Sequence, residues 1–103
     1  MSKYKVITED VLDILFLIEK DPQISQRLIA EKSGFSAGKV NYCIQALIKI
    51  GMIKMLNFNH SNNKLKYAYI LTPKGIQKKT AITKQFIIKK QQEYDKLVSY
   101  ITN

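Results

Sequence analysis

The sequence predicts a mainly α fold with one small β-hairpin, and three observations predict it. The stretch from Ser25 to Ile53 holds two short helical patterns joined by a Gly-Phe turn. Two β-patterned segments then flank an asparagine-rich cluster at 59–64. From Pro73 to Thr102 neither proline nor glycine interrupts after Gly75, which predicts one long closing helix.

The first helix is predicted to open at Thr8. Glu9 and Asp10 follow it, and carboxylates favour the positive end of the helix dipole. It should run to about Lys20 and stop before Asp21-Pro22, because proline disfavours helix in the residue before it. Val11, Leu12, Ile14, Leu15, Phe16, Leu17 and Ile18 are more apolar positions than one stripe holds, so this helix should be covered on two sides. Gln23-Ile24-Ser25 reads as a short strand leading into the second helix.

Ser25 and Ser36 are each placed to cap a helix, since a serine oxygen accepts from the orphan N–H groups of the first turn. Gly34 permits the left-handed backbone that sets two helices at a steep angle. In the third helix Val40, Cys43, Ile44 and Leu47 fall at i, i+3, i+4 and i+7, an inward stripe. Lys39, Asn41, Tyr42, Gln45 and Lys49 form the other face. This is a helix-turn-helix whose second helix is equipped to read base edges in a major groove.

Asn41 and Gln45 can each pair with N6 and N7 of adenine, and Lys39 can reach guanine or a phosphate. Tyr42 can meet a phosphate with its hydroxyl or a thymine methyl with its ring. Ser36, Ala37 and Gly38 are small residues at the helix start, where the backbone can approach DNA and its N–H groups meet a phosphate. Ser25, Gln26 and Arg27 open the second helix and read as positioners on the backbone rather than base readers. The plain alternative for each of these residues is a solvated helix surface.

Gly51 is a natural stop for the third helix. Met52 to Phe58 then reads as a strand, Asn59 to Lys64 as a turn, and Leu65 to Leu71 as a second strand with Tyr67 and Tyr69 on one face. A hairpin directly after a recognition helix is a wing. Its tip offers Asn59, His60, Asn62, Asn63 and Lys64 for backbone or minor-groove contact, although asparagines in a turn also serve the turn alone.

Thr72-Pro73 opens the last element, with threonine as cap and proline at the first helical position. Such a helix is on the order of 45 Å long at about 1.5 Å per residue. Ile76, Thr83, Lys90 and Leu97 recur every seventh residue, as do Thr80, Ile87, Tyr94 and Ile101. With Phe86 and Val98 they make a stripe, weaker in its first half, that a domain this small cannot cover. Phe86, Ile87, Tyr94, Leu97, Val98 and Ile101 are therefore the expected dimer interface. The expected division is a winged helix-turn-helix over residues 1–72 and a dimerisation helix over 73–103.

Composition narrows the function classes. A formal charge of +9 suits a polyanionic partner, and 46% hydrophobic residues are too many for a disordered basic tail. One cysteine and one histidine cannot assemble the usual zinc cluster, so neither metal nor cofactor is expected. Cys43 lies on the inward stripe and reads as core rather than as a redox sensor. The sequence has no GxSxG, Walker loop, HExxH or paired acidic cluster, so no catalytic residue is assigned. The apolar run VLDILFLI is too short to span a bilayer and carries Asp13, and the N-terminus lacks a signal-peptide pattern. No membrane partner is expected, and the expected location is the cytoplasm.

Taken together, ISQRLIAEKSGFS (Ile24 to Ser36), GKVNYCIQALIKIGMIK (Gly38 to Lys54), NFNHSNNK (Asn57 to Lys64) and YAYILTPKGI (Tyr67 to Ile76) resemble the MarR-type winged helix regulators. The resemblance is closest to the exopolysaccharide-associated (EPS-associated) branch, with KVNYC and YAYILTPKGI its specific parts. It implies a bacterial cytoplasmic protein similar to dimeric transcription factors, in a chain shorter than MarR proteins commonly have. Two function classes stand. One is a homodimeric, sequence-specific double-stranded DNA-binding regulator, a repressor on an inverted-repeat operator, with any small-molecule effector left open. The other is a winged helix used as a protein-interaction module in a larger assembly; such a helix should expose apolar anchors in place of Lys39, Asn41, Tyr42 and Gln45.

Overall fold

A computed structural model describes residues 8–59 and 65–102. The order of elements is α1 (Glu9–Lys20), α2 (Gln26–Ser33), α3 (Ala37–Lys49), β1 (Ile53–Asn59), β2 (Leu65–Leu71) and α4 (Pro73–Thr102). Mainly α with a two-stranded antiparallel wing, this is the fold class predicted from the sequence.

Helix α1 begins where Glu9 and Asp10 place it, with Thr8 at the cap position but without a side-chain cap bond. Its Val11, Ile14, Leu15 and Ile18 are buried, and Leu12 and Leu17 pack half-buried against the same core. Coverage is two-sided but incomplete. Helix α2 and strand β2 take one flank, α4 takes another, and Phe16 stays more than half exposed.

The expected strand at Gln23–Ser25 is absent. Pro22 has no N–H to give, and the amides of Gln23 and Ile24 both turn back on Asp21, to its side chain (3.1 Å) and its carbonyl (3.0 Å). A single bond, from Tyr69 N to the Pro22 oxygen at 2.8 Å, ties this segment to β2. Ile24 is nevertheless buried in the core.

Helices α2 and α3 follow the sequence closely. Gly34 takes φ +79° at the turn between them, a conformation that a Cβ would strain. Val40, Cys43, Ile44 and Leu47 are all buried. Strand β1 starts one residue later than expected because the Met52 amide closes α3, donating to the Leu47 oxygen at 2.9 Å. The hairpin pairs Ile53 with Leu71 through to Asn59 with Leu65.

Thr72 joins the hairpin to α4. Its backbone N–H donates to the Met52 oxygen (3.0 Å), its hydroxyl donates to the Gly51 oxygen, and that hydroxyl accepts from Gly75 N (3.0 Å). Gly75 then passes so close to Met52 that a Cβ would overlap the Met52 carbonyl. The start of α4 is thus fastened to the end of α3. Lys79–Glu19 (2.8 Å) and Lys90–Glu9 (3.2 Å) brace α4 against α1 from outside, and Ile82 enters the shared core.

Candidate nucleic-acid interface

Both serine caps form as the sequence requires. Ser25 Oγ accepts from Leu28 N at 3.0 Å and Ser36 Oγ from Lys39 N at 3.1 Å. With the apolar stripe of α3 anchored, Ala37, Gly38, Asn41, Tyr42, Gln45 and Lys49 are all exposed on its other side. That face holds amides, a phenol and an ammonium beside small residues, the kinds of groups that can donate to and accept from base edges.

Lys39 is less free than its place on that face suggests. Its Nζ lies 2.8 Å from Asp10 Oδ2 and 4.2 Å from the centre of the Phe35 ring. An acidic side chain of α1 thus sits beside the start of α3. No local pattern signals this contact, because the pair is separated by 29 positions.

Gln26 is half-buried and donates through Nε2 to the Tyr69 hydroxyl at 3.1 Å. Arg27 is exposed beside it. Asn59 closes β1 opposite Leu65, while His60, Asn62, Asn63 and Lys64 lie outside the described residues. Between α2, α3 and the hairpin lies a cleft of about 560 Å³ lined by Gln23, Ser25, Gln26, Gln45, Tyr67 and Tyr69, among others. Sequence reasoning did not bring Gln23 or either tyrosine to this cleft. The alternation of Tyr67 and Tyr69 placed them on one face, but only the tertiary fold brings that face to Gln26.

On α4, Ile87, Tyr94, Leu97 and Ile101 are exposed, Leu97 at 62% and Ile101 at 84%. Val98 and Phe86 are half-buried, and Phe86 packs against the protomer's own core. Phe86, counted in the stripe from the sequence, thus lies beside Ile82 on a face turned toward the protomer's own core. Burial pushes the Cys43 thiol above its ordinary pKa; Lys39 opposes this and Asp10 adds to it. A thiol so placed stays protonated near neutral pH, as a core residue should.

Among the described residues no group of three or more His, Cys, Asp or Glu side chains could hold a metal ion. Among the same residues no helix is long and apolar enough to cross a membrane.

Residues 11–54 match the winged helix-turn-helix DNA-binding family model. No curated protein matches the chain in sequence. Among solved structures, the adhesin competence repressor AdcR from Streptococcus pyogenes is 18% identical with a TM-score of 0.58, over 89% of this chain and 66% of that one. A MarR family transcription regulator is 19% identical with a TM-score of 0.62, over 90% of this chain and 64% of that one. A point mutant of MepR from S. aureus, bound to an oligodeoxyribonucleotide, is 19% identical with a TM-score of 0.59, over 92% of this chain and 75% of that one. The chain spans less than two thirds of the length of the first two. It carries a winged helix-turn-helix whose fold, long final helix included, is that of the MarR family transcription regulators.

Proposed function

We propose that the protein is a bacterial, cytoplasmic, sequence-specific regulator of transcription that binds double-stranded DNA as a homodimer and represses from an inverted-repeat operator. The observation that carries this reading is α3, apolar on the side it buries and polar along the whole side it exposes. In this reading Asn41 and Gln45 read bases, and Tyr42 and Lys39 stand beside them. Ser25, Gln26, Arg27 and the wing from Asn59 to Lys64 hold the backbone. Residues 1–72 bind DNA and residues 73–103 pair two copies.

The uncovered stripe of α4 supports the dimer. Ile87, Tyr94, Leu97 and Ile101 are each more than 60% exposed, and contiguous exposed apolar patches mark interaction sites. A two-fold axis through that stripe would carry two copies of α3 to one face of a duplex, with half-sites roughly 34–36 Å apart. The resemblance of KVNYC and YAYILTPKGI to the exopolysaccharide-associated branch of MarR regulators supports assigning the protein to that branch within the same reading.

Selection of bound duplexes from a random pool, followed by shift assays across a salt series, tests the proposal. The expected result is a palindromic consensus whose affinity falls steeply with salt. A protein that enriches no sequence and binds no duplex at low salt is not a DNA-binding regulator. The winged helix would then be an interaction module.

A further inference from the structure

The cleft between α2, α3 and the hairpin is built from neutral hydrogen-bond donors. Tyr69 is 7% exposed, and its hydroxyl accepts from Gln26 Nε2 at 3.1 Å, which leaves its own proton uncommitted among the described residues. Gln26 Nε2 retains a second N–H, and Ser25 Oγ, already accepting from Leu28 N, retains its hydroxyl proton. Three donors are thus fixed in place by bonds that use their other valences. Gln23 and the half-exposed Tyr67 add two adjustable donors nearer the mouth, and Met55 supplies an apolar wall. Among the described residues neither a carboxylate nor a cation lines the cleft.

Such a site suits an anion that is all acceptor and carries a small apolar body. We propose that the cleft seats one sugar-phosphate unit of the bound DNA strand, with Tyr69, Gln26 and Ser25 donating to the phosphate oxygens and Met55 against the deoxyribose. This rests on the DNA-binding reading and deepens it. Gln45 lines both the cleft and the exposed face of α3, so a strand whose bases α3 reads would run beside these donors. The tyrosines of β2 then fix the register of α3 on the duplex without reading sequence. The clamp is neutral, so its contribution differs from that of lysine or arginine. It supplies hydrogen bonds without displacing counterions.

Anisotropy titrations of a selected and a scrambled duplex over a salt series test this in Tyr69→Phe and in the double variant Gln23→Ala, Tyr67→Phe. Tyr69→Phe keeps the buried ring, and the double variant alters exposed positions only, so it decides the matter if the first fails to fold. Both should weaken the two duplexes by a similar factor, roughly tenfold for Tyr69→Phe, while the slope of log affinity on log salt stays at the wild-type value. Arg27→Ala serves as contrast, since losing a cation on a phosphate should lower that slope by about 1. Single neutral methylphosphonates stepped along the strand should reveal one position where the wild type weakens and Tyr69→Phe weakens no further. Wild-type affinity in either folded variant overturns the proposal, as does a loss confined to the selected duplex, which would make the cleft a base reader. Failure of the wild type to bind any duplex is a different outcome, and it overturns the DNA-binding reading itself.

Discussion

Helix α3 hides Val40, Cys43, Ile44 and Leu47 inside its own protomer, whereas α4 leaves Ile87, Tyr94, Leu97 and Ile101 in water. Both helices are amphipathic, and the difference lies in what is near them. Around α3, α2 and β1 close the apolar side within a few residues of chain. The first half of α4 finds α1 and sinks Ile82, but beyond Phe86 the helix runs past the end of the core. One amphipathic face is completed by the fold and the other is left exposed. In the proposed reading, the polar outward side of α3 is what recognises DNA and the apolar outward side of α4 is where two copies assemble.

The sharpest way to break this comparison is a charge on each helix's apolar side. Leu97→Glu should leave the protomer folded, because Leu97 touches little of it, and should dissociate the proposed dimer. An uncompensated buried charge costs about 3–5 kcal/mol, and a two-fold interface would receive one from each copy. Sedimentation of wild type and variant across concentration measures it. A wild type that is monomeric at tens of micromolar (roughly the range in which weak specific dimers still form) leaves the α4 stripe without its assigned role.

Truncation on α3 should act oppositely. Ile44→Ala removes a side chain that is fully buried in the protomer. It should cost about 2–5 kcal/mol of stability with little change in association beyond that loss. Urea denaturation at fixed protein concentration reads the difference. If Leu97→Ala destabilises the isolated protomer as much as Ile44→Ala does, the distinction between a finished and an unfinished helix collapses.

The same contrast explains how much was legible in the sequence. Periodicity reports which residues share a face, and it named the buried side of α3 residue by residue. Caps are local too, so Ser25, Ser36 and Thr72 were placed correctly. On α4 the heptad stripe was found, but the adjacent face that buries Ile82 was not, because only the position of α1 decides which face turns inward. Gln23–Ser25 looked like a strand from its side chains, yet Pro22 and the two amides folded onto Asp21 removed the ladder a strand needs. Long-range partners were the least legible. Nothing local to Gln26 points to Tyr69, and nothing local to Lys39 points to Asp10.

A smaller effect sharpens the recognition side. Asn41→Ala and Gln45→Ala alter exposed positions, so folding should be preserved. Each should erode base preference at one position of the site by about 1–3 kcal/mol. Competition between selected and scrambled duplex gives the ratio directly. An unchanged ratio in both variants moves the readout away from the middle of α3.

The smallest expected effect concerns the ion pair at the head of α3. Lys39 and Asp10 are 43% and 51% exposed, so the pair itself should contribute less than about 1 kcal/mol to stability. Its bearing on binding is larger than its bearing on folding. In the DNA-binding reading Asp10 faces a polyanion, and a duplex must either draw Lys39 away from the carboxylate or accept a negative charge near its phosphates. Either way, Asp10→Asn should tighten binding a few-fold at low salt. It should also steepen the dependence on salt by up to about one ion, since Lys39 can then engage a phosphate fully. The Phe35 ring, 4.2 Å from the Lys39 ammonium, remains to hold it in place. Titrations of the variant at two salt concentrations separate the possibilities. Tighter binding identifies Asp10 as a competitor for Lys39. Weaker binding with lost base preference would mean that Asp10 instead aims Lys39 at a base, and that the head of α3 is preorganised by α1 before DNA arrives.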